Sequence, residues 1–103
     1  MTENYISQLA VNAIYHVHKE LGPGLLESTD EACLSYELRE TGLSITAQKA
    51  LPVIYKGIKL DCGYRIDLII ENKVIIEIKS VEVLNDVHLA QILTYLKLSD
   101  CKL

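Results

Sequence analysis

The segment Arg65-Ile66-Asp67-Leu68-Ile69-Ile70-Glu71-Asn72-Lys73-Val74-Ile75-Ile76-Glu77-Ile78-Lys79 reads as two β-branched runs joined by a short polar turn. The second run is apolar on both faces except for Glu77 and Lys79, as in a central strand whose charged exceptions need a reason. Strand side chains alternate faces, so Glu77 and Lys79 project from the same face as neighbours. If Glu71-Asn72-Lys73 is a three-residue loop pairing Ile70 with Val74, Asp67 falls opposite Glu77 on that face. A two-residue loop would shift the register and separate them. In the first arrangement two carboxylates and an ammonium meet on an apolar hairpin. That composition suits a hard divalent cation with a positive charge beside a phosphate or an activated water.

Upstream, Ser44 to Tyr55 has the same alternating character, and Lys56-Gly57 reads as a turn before the run Ile58 to Ile70. With Val74 to Val81 this predicts a three-stranded β-meander. Two helices precede it. From Glu3 to Leu21 the apolar residues Ile6, Ala10, Ala13, Ile14, Val17 and Leu21 recur at three- and four-residue steps, and Gly22-Pro23-Gly24 ends the run. A second helix is expected from about Leu26 to Thr41, with Cys33, Leu34 and Leu38 inward and Gly42 as its stop. A third is expected from Asn85 to Leu98, with Leu89, Ile92, Leu93 and Leu96 toward the core. The fold class is therefore α/β, with one domain over residues 1–103.

Composition supports a folded unit. Of 103 residues, 50% are hydrophobic and 23% charged, with only five Gly and two Pro, which excludes a disordered or collagen-like chain. No run of apolar residues is long enough for a membrane span, and Met1 to Tyr5 lack the basic-then-apolar order of a secretory signal, so a cytoplasmic protein without a membrane partner is expected. The separated cysteines Cys33, Cys62 and Cys101 form no Cys-x-x-Cys pair and read as buried thiols, not as a disulfide framework or zinc site. Net charge is −4, which disfavours coating of nucleic acid by bulk electrostatics. Yet residues 49–79 hold six basic side chains against four acidic ones, so a localised basic surface is compatible with the acidic whole. Phosphate-cradling Gly-rich loops and a Gly-x-Ser-x-Gly nucleophile elbow are absent from the sequence.

Three more side chains fall where such a site would use them. Glu27, near the start of the second helix, could complete a cation site or simply favour the positive end of the helix dipole. Gln91 and Tyr95, four residues apart, share a helical face and could orient a phosphate or the lysine; a polar flank with a half-buried tyrosine is the plainer alternative. His16 and His18 are two residues apart on a helix and do not face the same way.

Leu21-Gly22-Pro23-Gly24-Leu25-Leu26-Glu27-Ser28, Leu60-Asp61-Cys62-Gly63-Tyr64-Arg65-Ile66-Asp67 and Ala90-Gln91-Ile92-Leu93-Thr94-Tyr95-Leu96, in this order, resemble the GxxExxY family of the PD-(D/E)XK nuclease-like superfamily. The resemblance spans nearly the whole chain. It implies a restriction-endonuclease-like core and a nuclease that hydrolyses phosphodiester bonds. Mg²⁺ or Mn²⁺ would be held by Asp67, Glu77, the Ile78 carbonyl and Glu27. Lys79 would be catalytic with Asp67 and Glu77, while Gln91 and Tyr95 would position. The implied partner is nucleic acid, DNA rather than RNA.

The chain departs from the family pattern at Asp30, where the naming motif has Tyr, and at Ile66, which stands in the place of Pro. The resemblance also implies an apolar strand after Cys101-Lys102-Leu103, so the final family strand is expected to be missing. The sheet edge would then be uncovered and a homodimer could form through it. A catalytically silent nuclease-fold module for assembly or nucleic-acid binding is the alternative from a different class.

Overall fold

The computed structural model describes residues 2–22, 26–79 and 86–103. In chain order the elements are α1 (Glu3–Leu21), α2 (Glu27–Glu40), β1 (Ile45–Ala50), β2 (Val53–Tyr55), β3 (Ile58–Leu60), β4 (Arg65–Ile70), β5 (Val74–Ile76) and α3 (Asp86–Ser99). This is the mixed α/β architecture that the patterning predicts, of the kind expected for a PD-(D/E)XK-like fold.

Local chemistry sets the helix ends. Thr2 caps α1 by accepting the Tyr5 N–H at 3.2 Å, and Gly22, at φ 74°, lets its own N–H close back onto the His18 carbonyl. Ile6, Ala10, Ala13 and Val17 form the buried stripe of α1. Ile14 and Leu21, expected with them, are 44% and 39% exposed; at about 100° per residue they stand roughly 70° and 50° from the stripe's centre, at its edge. On α2, Leu34 and Leu38 are buried and Cys33 packs against their cluster, while Gly42 at φ 86° follows the helix end. The other two cysteines divide: Cys101 is buried, but Cys62 is exposed, contrary to a uniformly buried set.

The meander is present, with interruptions. β4 pairs antiparallel with both β1 and β5 in the order β1-β4-β5, and β2 pairs with β3 as a separate two-stranded hairpin. The first predicted strand breaks at Leu51-Pro52, where proline offers no N–H to a ladder. The second breaks at Asp61 to Tyr64, where the Asp61 carboxylate accepts the Gly63 N–H at 2.9 Å and Gly63 adopts φ 80°. Lys56 and Gly57 both have positive φ, the two-residue turn whose twist suits a hairpin. The third strand is shorter than predicted and ends at Ile76, and residues 80–85 of the predicted run and helix start lie outside the described residues.

Two apolar clusters flank the sheet. Leu68, Ile70 and Val74 pack with α1 and α2, whereas Ile69 joins Leu51, Ile66, Tyr95 and Cys101 in the second cluster, which includes α3. On α3 the buried side chain is Tyr95, with Leu96 and Leu98 beside it. Leu93, predicted inward, is 57% exposed because two residues on a helix separate it from Tyr95 by about 200°. The side chain of Leu89 lies outside the described residues.

At the C-terminal end the Cys101 thiol donates to the Asn72 carbonyl at 3.4 Å, and the Ile75 N–H donates to the Leu103 carbonyl at 2.9 Å. At Ile75 the edge of β5 is therefore met by this chain's own residues, where the sequence leads one to expect an uncovered edge. Ile70, with 0% exposure, gives a simple check of the core. Ile70→Val should cost about 1 kcal/mol and lower the melting temperature by roughly 4–8 °C, measured by thermal unfolding.

Candidate functional site

The turn Glu71-Asn72-Lys73 has the three-residue form, with Ile70 paired to Val74, Ile69 to Ile75 and Leu68 to Ile76. Continuing that register places Asp67 opposite Glu77, and their side chains do meet. The Glu77 carboxylate Oε1 accepts the Asp67 N–H at 3.1 Å, and the Asp67 carboxylate Oδ2 accepts the Ile78 N–H at 2.9 Å. Each carboxylate thus binds the backbone at or beside the other. Regular pairing gives way to these side-chain bonds just after Ile76.

Lys79 lies where the alternation of faces puts it, with Nζ 3.8 Å from Glu77 Oε2. Its side chain is 23% exposed and that of Glu77 only 5%. Burial is the main reason that the Glu77 carboxyl is pushed up to about 7. The Asp67 N–H bond opposes that rise, the Asp67 charge adds to it, and Lys79 opposes it again. A carboxylate so placed is stabilised by any additional positive charge.

Two residues that sequence reasoning missed complete the surroundings. The β1–β4 pairing skips one position, Gln48 facing Asp67, and there Gln48 turns to φ 52°, uncommon for a residue with a side chain. Its amide Nε2 donates both to Asp67 Oδ1 at 3.2 Å and to Glu31 Oε2 at 2.9 Å. Gln48 therefore ties a carboxylate of α2 to the strand carboxylate. Nothing in the pattern marks it, since a polar residue on an exposed strand face is ordinary. Glu31 was legible in part, being four residues after Glu27 on one face of the helix.

The other expected residues are distributed differently. Gln91 Nε2 donates to Tyr95 Oη at 3.1 Å, so the two do share a helical face. Tyr95 is 3% exposed and stands edge-on to Tyr64, with ring centroids 5.9 Å apart. Among the described residues, no hydrogen bond or ion pair joins Gln91 or Tyr95 to Asp67, Glu77 or Lys79. Glu27 is the first, exposed residue of α2. No group of three or more His, Cys, Asp or Glu side chains able to hold a metal occurs among the described residues. The donor set brought together is thus two carboxylates and the adjoining Ile78 backbone. This fits Mg²⁺, which commonly takes one or two carboxylates and fills its remaining positions with water.

No helix of the described residues is long and apolar enough to cross a membrane. No curated protein and no solved structure matches the chain. A family model described as the PD-(D/E)XK nuclease superfamily matches residues 4–103.

Proposed function

This chain belongs to the PD-(D/E)XK nuclease superfamily, and on that premise we propose that it hydrolyses phosphodiester bonds of DNA with a divalent cation held by Asp67 and Glu77. The observation that carries the reading is the reciprocal bonding of Asp67 and Glu77 across the turn with Lys79 alongside. When bound, Mg²⁺ or Mn²⁺ would polarise the scissile phosphate and lower the pKa of its bound water. Asp67 is held for that task by the Ile78 N–H and the Gln48 amide, so its carboxylate needs little reorganisation. Lys79 would orient the attacking water or stabilise negative charge developing on the phosphate. The Ile78 carbonyl and Glu27 are the remaining candidate ligands. Gln91 would position substrate, with Tyr95 fixing its amide from within the second cluster.

The GxxExxY motifs and a single domain over residues 1–103 belong to the same reading, with the protein acting in the cytoplasm. Assembly is the second reading, favoured by the exposed Ile54, Tyr55, Ile58 and Leu60 of the β2–β3 hairpin. In that case light scattering would show a homodimer, and no cleavage of DNA would appear at any Mg²⁺ or Mn²⁺ concentration.

The deciding experiment is a Mn²⁺ titration followed by paramagnetic broadening of amide signals in wild type and Asp67→Asn. Broadening is expected to centre on Asp67, Glu77 and Ile78, and to require at least about tenfold more Mn²⁺ in the variant. Diffuse broadening that the substitution leaves unchanged would overturn the metal centre.

A further inference from the structure

Beside the carboxylate pair, a groove runs between α2 and β1, lined by Ser28, Glu31, Ala32, Ser35, Arg39 and Ala47. The spacing of the α2 members is that of one helical face. Ser35 is 4% exposed, and its hydroxyl has no hydrogen-bond partner, an uncommon condition for a buried polar group. Arg39 is exposed, and its guanidinium makes no ion pair among the described residues. The Ser35 hydroxyl is closed to solvent as placed, so contact with a ligand in the groove requires it to turn about χ1 to another staggered rotamer, toward the space that Arg39 also lines.

We propose that this groove seats the sugar–phosphate backbone of the substrate strand, with one phosphate held by the Ser35 hydroxyl and the Arg39 guanidinium. The inference rests on the nuclease reading and adds to it where the substrate lies. Arginine and a hydroxyl are the donors that phosphate oxygens take. No aromatic side chain lines the groove, so it offers no platform for stacked bases, and the small Ala32 and Ala47 leave room for a backbone. The groove is also continuous with the candidate site, because Glu31 lines it and shares the Gln48 amide with Asp67. From residue 31 to residue 39 the helix advances about 12 Å. At about 3.4 Å of axial rise per phosphate along a duplex strand, Arg39 would contact a phosphate three or four steps from the one at the metal site. Outside residues 49–79 the chain has only four basic side chains, Lys19, Arg39, Lys97 and Lys102, so a cation at this groove is not a consequence of general basicity.

The test is binding of a labelled DNA duplex by fluorescence anisotropy, in Ca²⁺, over a series of salt concentrations. For Arg39→Ala the slope of log affinity against log salt should become shallower by about 0.9, the loss of one phosphate contact, and affinity should fall roughly five- to twentyfold at low salt. For Ser35→Ala affinity should fall at least about threefold while the melting temperature holds or rises, since an unpaired buried hydroxyl is removed. A purely structural serine would give the opposite pair of results. If Arg39→Ala binds with the wild-type affinity and slope, the groove proposal is overturned and the metal centre is untouched. If the wild type binds no duplex the groove proposal also falls, and the Mn²⁺ titration then judges the metal centre separately.

Discussion

Lys79→Ala is expected to slow cleavage of a DNA substrate by about 100- to 1,000-fold while leaving the fold in place. That is the usual consequence of removing one preorganised group from a developing negative charge, roughly 3–4 kcal/mol in the barrier. The fold should survive because the Glu77 carboxyl, already pushed up to about 7, can take a proton when the ammonium is removed, so that no uncompensated buried charge is left. Loss of the ammonium also removes one of the influences that lower the Glu77 pKa, so the pH at which the site accepts a cation should move upward. Single-turnover rates together with urea unfolding separate these effects. Cleavage at the wild-type rate would take Lys79 out of the mechanism.

Glu77→Gln is expected to have a comparably large effect on stability, and in the stabilising direction. Raising this carboxyl from 4.5 to about 7 means that the native state prefers it protonated, which at about 1.4 kcal/mol per pH unit corresponds to about 3 kcal/mol. Between pH 4.5 and 7 the native protein holds a proton that the unfolded chain has released. Stability from this group is therefore fully present below about pH 4.5 and is lost as pH rises through 7. Wild type should weaken over that window, and Glu77→Gln should not. Above pH 7 the variant should be the more stable by up to about 3 kcal/mol in urea unfolding, because the amide keeps an oxygen for the Asp67 N–H without carrying the charge. The same linkage makes proton and cation compete at Glu77. Mn²⁺ affinity of the wild type should rise by up to about tenfold per pH unit below 7 and level off above it, while the glutamine variant binds weakly throughout. Equal pH dependence in both proteins would show that Glu77 is not the titrating group.

A carboxylate that costs stability until a cation reaches it is what the proposed metal centre requires. Glu77 is buried, faces a second carboxylate and keeps only a partly exposed lysine at 3.8 Å. Replacing it by an apolar residue should ease folding and remove the proposed cation ligand. Gln48 has a related character: its left-handed φ brings one amide to two carboxylates, a local departure from strand geometry at the position facing Asp67.

The amino-acid sequence by itself determined the three helices, the β-rich centre and which strand residues share a face, but not the breaks that divide the predicted strands. Strand alternation placed Glu77 beside Lys79, because side-chain direction in a strand follows from position alone, whereas the register that carries Asp67 to Glu77 stood open between a two- and a three-residue loop and was decided by the pairing of Ile70 with Val74. The stripe of α1 and the glycine stops were legible for the same reason: they depend on residues a few positions apart. Tertiary structure decided what depends on residues distant in the chain. Gln48 and Glu31 join Asp67 only because β1 and α2 pack beside β4, and Tyr95 becomes core by packing with Leu51, Ile66, Ile69 and Cys101, which leaves Leu93 on the far side of the helix. Burial of Glu77, and with it the elevated pKa, belongs to the same class, since desolvation is the summed effect of everything packed around a carboxyl and no spacing of residues specifies it.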